Sequence, residues 1–106
     1  MTIELDIQSH ENQVVWTLSG ALTVFSLSEA KKAEKWIKRF PLEGQWLVSA
    51  EHVSTVDTAG LAFFIECVAH AKKNNLSLEF SLLPKALANL IAAQGVSELI
   101  GTHVHS

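Results

Sequence analysis

The sequence has little of what marks secreted, nucleic-acid-binding or membrane-spanning proteins. It holds one cysteine, Cys67, so no disulfide can form within the chain. Eight basic side chains stand against eleven acidic ones, without a basic block that could neutralise a run of phosphates, which argues against nucleic acid as a ligand. No apolar stretch approaches the ~20 residues of a membrane-spanning helix, and the first residues lack the pattern of a signal peptide. These absences predict a cytoplasmic protein that reaches the inner face of a membrane only through a partner, without direct membrane insertion.

The composition is typical of one compact globular domain. The chain has 106 residues, of which 48% are hydrophobic and 18% are charged. A domain of this size buries roughly two-thirds of the surface that the unfolded chain exposes, but it is too short for two cores. We therefore expect a single domain over residues 1–106.

Hydrophobic periodicity predicts an α/β fold with the element order ββαβαβα. Residues 2–8 alternate between apolar and polar types, and residues 14–18 are β-branched and aromatic, so the two runs form a predicted antiparallel hairpin that Gly20 ends. Residues 46–50 are almost wholly apolar, as in a central strand, and residues 77–82 alternate again. These patterns predict a mixed sheet of four strands or slightly more, with helices packed mainly on one face.

Capping residues and helical spacing predict three helices. Ser26 and Glu29 have the spacing of a capping box at the start of the first helix. Asp57 is the predicted N-cap of the second helix, which covers residues 58–73. The third helix begins at Pro84 and ends at Gly95, since proline suits a first helical turn and glycine suits a helix end. 

The turn before the second helix is the candidate functional site. The Asp57 carboxylate can accept hydrogen bonds from the free amides of the first helical turn, while Gly60 allows close packing and Leu61 enters the core. In the simplest interpretation Asp57 is only a cap and Thr58 has no role. In the functional interpretation Thr58 exposes a hydroxyl at a helix N-terminus, where partial positive charge favours a phosphate or an acidic group of a partner.

Two segments around this turn resemble a STAS domain. They are Val53-Ser54-Thr55-Val56-Asp57-Thr58-Ala59-Gly60-Leu61-Ala62, after the predicted central strand, and Leu18-Ser19-Gly20-Ala21-Leu22, after the hairpin. The resemblance covers essentially the whole chain, because the element order and the later junction at residues 95–96 also match the family. It implies a protein that binds a partner protein and has no catalytic activity.

The resemblance implies two kinds of partner. In the anti-sigma factor antagonists of the family, the residue matching Thr58 is a serine or threonine that a partner kinase phosphorylates. In the STAS subunit of the Mla phospholipid transporter, a threonine matches this position and belongs to the contact with the ATPase subunit. Thr58 itself and a chain that ends soon after residues 97–100 favour the transporter branch. Thr23 stands where the family often has an acidic residue, which argues against use of the site by a kinase.

The sequence therefore predicts an accessory subunit that binds an ABC-transporter ATPase at the inner membrane. The alternative is an antagonist that binds an anti-sigma factor kinase and is switched by phosphorylation of Thr58. The predicted partner-binding residues are Asp57, Thr58, Ala59, Gly60 and Phe63. Phe63 is predicted to anchor the partner from the outward side of the second helix, and the alternative is that it packs beneath the first or third helix.

The remaining reactive and aromatic side chains are assigned structural roles. Cys67 is a predicted packing residue without a histidine base, and the sequence offers no phosphate-binding glycine loop or pair of catalytic acids. The three tryptophans, Trp16, Trp36 and Trp46, are predicted core residues. The five histidines fall in separate elements or in the C-terminal tail, so we expect neither a metal site nor a cofactor.

Overall fold

The computed structural model describes residues 2–81 and 83–93 and the backbone of residues 104–105. The order of the elements confirms the predicted α/β class. In this part of the chain the elements are β1 (Ile3–His10), β2 (Gln13–Leu22), α1 (Val24–Ser28), a 3-10 turn (Glu29–Lys31), α2 (Lys32–Ile37), β3 (Gln45–Val56), α3 (Thr58–Lys73), β4 (Ser77–Ser81), α4 (Lys85–Ala93) and β5 (Val104–His105).

The five strands form one mixed sheet in the order β1-β2-β3-β4-β5. β1 is antiparallel to β2, and each of the other neighbouring pairs is parallel. Ile7, Trp16, Val48 and Phe80 lie in register across the first four strands. The three of these on the inner strands are fully buried against the helices, whereas Asp6 and Glu79 on the opposite face are exposed. The helices therefore cover one face, as predicted.

Aromatic rings fill the core between the sheet and the helices. The ring centroids of Trp16 and Trp46 lie 5.2 Å apart, and Phe40 packs on both at 5.5 and 4.8 Å. Trp36 joins the same core from α2. The predicted core role of the three tryptophans is confirmed, and tilted contacts at these distances are the arrangement that aromatic pairs prefer.

Strand β2 continues past Gly20, which was predicted to end it. Gly20 has a φ of 105°, a conformation that favours glycine, and a Cβ at this position would meet the carbonyl oxygen of Thr2. The register between β2 and β3 shifts beside it. Gly20 therefore marks an irregularity inside the strand, and β2 ends at Leu22.

The first helix differs most from its prediction, because it is broken in two and begins earlier. The capping box joins Thr23 and Ser26: the Thr23 N–H donates to Ser26 Oγ at 3.0 Å, and the Ser26 N–H donates to Thr23 Oγ1 at 3.4 Å. Ser26 is thus the third residue of the helix, where it is buried, and not its cap. Ala30 and Lys31 have φ values of 52° and 56° and interrupt the helix before α2. 

The central strand β3 was predicted over residues 46–50 and is longer, since it continues to Val56, whereas the elements after it follow the predictions closely where they are described. α3 has the predicted bounds with Asp57 as its N-cap, and α4 begins directly after Pro84. β5 adds a short strand at Val104–His105, where the sequence predicted only a tail. The predicted strand end at Leu82, the helix end at Gly95 and the segment 95–103 lie outside the described residues.

Candidate functional site

The candidate site lies where two parallel strands end side by side. Leu22 at the end of β2 is paired with Val56 at the end of β3. The next residue of each strand, Thr23 and Asp57, is the N-cap of a helix. The starts of α1 and α3 therefore meet at one edge of the sheet, the carboxyl edge of its parallel strands, where α/β proteins commonly bind their ligands.

The Asp57 carboxylate joins the two helix starts. One of its oxygens accepts hydrogen bonds from the N–H groups of Ala59 at 2.9 Å and Gly60 at 3.1 Å, which caps α3. The other accepts from the Val24 N–H at 3.0 Å, in the first turn of α1. The predicted cap is confirmed, and the link to α1 is an addition that sequence spacing did not indicate, because the two residues are 33 positions apart.

Gly60 allows α3 to lie directly against the end of β2. A Cβ at this position would meet the carbonyl oxygen of Leu22, and it would lie 2.8 Å from Cγ2 of Val56. Real side chains do not tolerate such distances, so any larger residue must displace the helix. The predicted close packing is confirmed. Gly60 is itself buried, and its part in partner binding stays a prediction.

Thr58, the first residue of α3, is exposed beside these buried groups. Its hydroxyl has no hydrogen-bond partner among the residues that the structure describes. Residues 57–60, which we call the docking turn, thus present one free hydroxyl on a backbone that the Asp57 bonds fix in place. Binding of a partner by Asp57, Thr58 and Ala59 stays a prediction.

Two large apolar side chains on α1 extend the candidate site beyond the predicted residues. Val24 is 50% exposed, and Phe25 is 83% exposed. The Val24 backbone is tied to Asp57, which places both residues beside the docking turn. The signal in the sequence is a pair of large apolar residues directly after the Thr23 cap, where a helix that faces only water would carry polar ones.

Phe63 is buried, and its predicted placement on the outward side of α3 is wrong. It is only 4% exposed, and its ring centroid lies 5.8 Å from that of Trp36 and 5.9 Å from that of Phe40. The alternative that it packs beneath the first helix is correct, because α1 and α2 cover this side of α3. The exposed line of α3 instead contains Thr58, Ala62, Glu66, Ala69 and Lys73.

The other reactive side chains have structural surroundings. Cys67 is fully buried, and burial raises the pKa of its thiol well above the usual range, with a further rise from the Glu66 carboxylate. The thiol therefore stays protonated and is a poor nucleophile. His70 Nε2 lies 2.6 Å from the carbonyl oxygen of Pro41, to which it donates. Within the described ranges, no group of three or more His, Cys, Asp or Glu side chains is placed to hold a metal ion.

We expect replacement of Asp57 by alanine to cost about 2 kcal/mol of folding stability, since the cap of α3 and the bond to α1 are lost together. Asp57→Asn keeps an oxygen for the cap but turns an amide toward the Val24 N–H, so it should lose about 1 kcal/mol. Urea unfolding of both variants measures the difference. An Asp57→Asn protein as stable as the wild type would contradict a stabilising role for the bond to Val24.

Comparison with known proteins places the fold and the turn in a family. A family model described as "Mlab, STAS domain" matches residues 5–101. The anti-sigma-B factor antagonist of Bacillus subtilis (strain 168) is 25% identical over 100 residues, which cover 94% of this chain and 90% of the relative.

Solved structures with low sequence identity share the fold. An anti-sigma factor antagonist from Mycobacterium paratuberculosis superposes with a TM-score of 0.71 at 14% identity, over 98% of this chain and 86% of the other. A sulfate transporter family protein from Wolinella succinogenes gives a TM-score of 0.69 at 14% identity, over 90% and 77% of the two chains. 

In the described residues, none of the helices has the length and apolar character needed to cross a membrane. The family match extends over both helix starts of the candidate site and over all the strands from β2 to β4. The chain belongs to the STAS domain family, in the group described as MlaB, and it is similar to anti-sigma factor antagonists.

Proposed function

We propose that the chain is a non-catalytic accessory subunit that binds the ATPase of an Mla-type phospholipid ABC transporter through the docking turn. The observation that carries the proposal is the exposed Thr58 hydroxyl, held at the start of α3 without a partner among the described residues. The description of the matching family supports this branch. In this function the chain acts in the cytoplasm, at the inner face of the inner membrane, where the ATPase holds it.

The surroundings of Thr58 suit binding of a protein better than chemistry on a substrate. The nearest carboxylate, Asp57, already accepts three N–H groups, so it is not free to act as a base. The Thr58 hydroxyl offers one directional hydrogen bond, and the exposed Phe25, which follows the Asp57-bound Val24, adds a large apolar side chain at the same edge of the sheet. This combination of a polar contact and a large apolar side chain is common at the centre of protein interfaces.

Thr58→Ala should leave folding nearly unchanged and weaken partner binding about two- to tenfold, which corresponds to loss of one hydrogen bond at an interface. Ser77→Ala is the matched control, because Ser77 is exposed at the opposite end of the sheet. Pull-down of the ATPase by each tagged variant, together with thermal melts, separates the two effects. Normal binding by Thr58→Ala would refute a functional role for the hydroxyl.

The second candidate function is an anti-sigma factor antagonist that phosphorylation of Thr58 switches off. It is favoured by the Bacillus subtilis relative, whose similarity extends over 94% of this chain. A phosphate on Thr58 would bring a second anion beside the Asp57 carboxylate, and the repulsion would compete with the bond from Asp57 to Val24. Phosphorylation would thereby change the surface that a partner meets at both helix starts.

Affinity purification of the tagged chain from its native cell, followed by mass spectrometry, tests the two functions against each other. Recovery of an ATPase together with membrane subunits supports the transporter function. Recovery of a histidine-kinase-like anti-sigma factor, with phosphate on Thr58, supports the antagonist and contradicts the transporter function. The Thr58→Ala variant should reduce recovery of the ATPase in the transporter function, whereas in the antagonist function it removes the phosphorylation that switches binding off, so recovery of the anti-sigma factor should not fall.

A further inference from the structure

Strand β1 forms one edge of the sheet, where it pairs only with β2 among the described residues. The carbonyl oxygen of Thr2, directly before the strand, accepts a hydrogen bond from the Ala21 N–H of β2 at 3.0 Å. The next carbonyl oxygen, that of Ile3, instead accepts from Lys32 Nζ at 2.9 Å. In an antiparallel pair, successive residues turn their backbone groups alternately toward the neighbouring strand and away from it. The odd-numbered residues of β1 therefore turn theirs away from β2.

Leu5, Ile7 and Ser9 present these outward N–H and C=O groups, which we call the outer edge of β1. The pairing of β1 with β2 has no register shift over the whole strand, so the alternation continues to its end. The strand also lacks the features that usually block an edge, because it contains no proline, no lysine and no bulge. The outer edge is therefore open to a further strand.

We propose that a second copy of this chain pairs with the outer edge of β1, antiparallel to it, about a two-fold axis through Ile7. This pairing joins two five-stranded sheets into one. Ile7 then lies opposite its own copy and Leu5 lies opposite Ser9, so each outward residue meets an outward residue of the other copy. The outward carbonyl oxygen of Ile3 lies beyond this stretch, and Lys32 already binds it.

The side chains of β1 complement one another in this register. On the open face of the sheet, Glu4 lies opposite His10 and Asp6 lies opposite Gln8, and all four are exposed. An imidazole N–H can donate to the Glu4 carboxylate, and the Gln8 amide can donate to Asp6, as it does within the chain at 3.3 Å. On the helix-covered face, the half-buried Ile7 packs against its own copy.

Charge and turn geometry disfavour the neighbouring registers. An axis through Asp6 sets that carboxylate against itself, and an axis through Leu5 sets Glu4 against Asp6; like charges directly opposite each other are destabilising. An axis through Gln8 leaves Leu5 opposite Glu11, which has a φ of 45° and belongs to the turn after the strand. The strand has an acid at one end and an imidazole at the other, which favours a second copy over an unrelated segment.

The proposed dimer leaves the docking turn open. Antiparallel pairing points the carboxyl edges of the two joined sheets in opposite directions, so the two docking turns lie at opposite ends. The inference therefore goes beyond the proposed function and does not depend on it.

Sedimentation velocity of the full chain measures the association. One strand against another is a small contact, so we expect a monomer at about 1 μM and a dimer at about 1 mM. Ser9→Pro removes an outward N–H but no bond to β2, and it should weaken the dimer about tenfold with little change in melting temperature. A wild-type chain that stays monomeric at about 1 mM overturns the inference.

An exchange of side chains tests the pairing of residues 4 and 10. His10→Glu sets two pairs of carboxylates against each other in the symmetric dimer and should weaken it about tenfold. Addition of Glu4→His restores an acid opposite an imidazole, so the double variant should regain most of the affinity. His52→Glu, at an exposed position of β3, is the matched control and should change the affinity less than about twofold. A double variant as weak as His10→Glu overturns the register.

Single cysteines map the register directly. Leu5→Cys, Asp6→Cys, Ile7→Cys and Gln8→Cys are each oxidised with copper phenanthroline at a concentration where the wild type is dimeric. The wild type should give no crosslink, because its thiol at Cys67 is fully buried. A disulfide should form most efficiently at position 7, where the two Cα atoms lie ~5.5 Å apart in the proposed dimer. A maximum at position 5, 6 or 8 overturns the inference.

The outcomes separate this inference from the proposed function. A monomeric chain that still recovers the ATPase overturns the inference and leaves the proposed function standing. A dimer that recovers no ATPase supports the inference and contradicts the proposed function. A position-7 crosslink in the native cell to a different protein, in place of a second copy, also overturns the inference.

Discussion

Phe63→Ala is expected to lose ~3–5 kcal/mol of folding stability, the range for truncation of a buried phenylalanine. The ring lies between α3 and the first two helices and makes edge contacts with Trp36 and Phe40. Its removal leaves a cavity next to the rings of Trp36 and Phe40. Urea unfolding followed by circular dichroism measures the loss.

Two phenylalanines give this experiment matched controls. Phe64 is buried on the sheet side of α3, with its ring centroid 5.0 Å from that of Phe80, so Phe64→Ala should lose a similar amount. Phe25 is exposed, so Phe25→Ala should hardly change stability but should weaken partner binding. If Phe63→Ala behaves like Phe25→Ala, the packing of α2 on α3 described above is wrong.

Gly60→Ala should destabilise the protein by about 1–3 kcal/mol and reduce partner binding, although alanine is the better helix former by about 1 kcal/mol. The added methyl group would meet the Leu22 carbonyl oxygen, so α3 must move away from the end of β2. That movement strains the bonds from Asp57 to both helix starts.

Ala62→Gly is the control for helix propensity, because Ala62 is exposed two residues further along α3. It should lose about 1 kcal/mol from propensity alone. Thermal unfolding of both variants separates the two effects. Ala62→Gly measures the stability lost through helix propensity alone, whereas Gly60→Ala gains helix propensity and loses stability only through the steric contact. A Gly60→Ala protein that is more stable than the wild type would contradict the close contact between α3 and β2.

Local patterns in the sequence were sufficient for β1 and β4, for α3 and for the cap at Asp57. Each of these depends on neighbouring residues: alternation in β1 and β4, helical spacing in α3, and a carboxylate directly before free amides. The STAS resemblance added the prediction that Thr58 contacts a partner, which the capping pattern alone does not indicate and which stays a prediction.

Features that depend on distant parts of the chain were not predictable in this way. Periodicity assigns one buried face to a helix, but α3 is covered by the sheet on one side and by α1 and α2 on another, so Phe63 is buried as well as Phe64. At the first helix, Ser26 has capping-box spacing to Glu29, and Thr23 has the same spacing to Ser26. In the structure Thr23 is the cap, and Ser26 is buried as the third residue of the helix. No local signal indicates the left-handed residues Ala30 and Lys31, whose strain tertiary packing must offset.

The absence of tyrosine, together with the burial of all three tryptophans, makes the protein its own optical probe. Intrinsic fluorescence comes almost entirely from Trp16, Trp36 and Trp46. Trp16 and Trp46 belong to the sheet, whereas the ring centroid of Trp36 lies 5.8 Å from that of Phe63, which lines an apolar groove between α3 and the α1–α2 segment. A segment that enters the groove should therefore change the emission of Trp36 while the other two give a constant background. A Trp36→Phe variant would lose the response and retain the background, so occupation of the groove could be followed without a label.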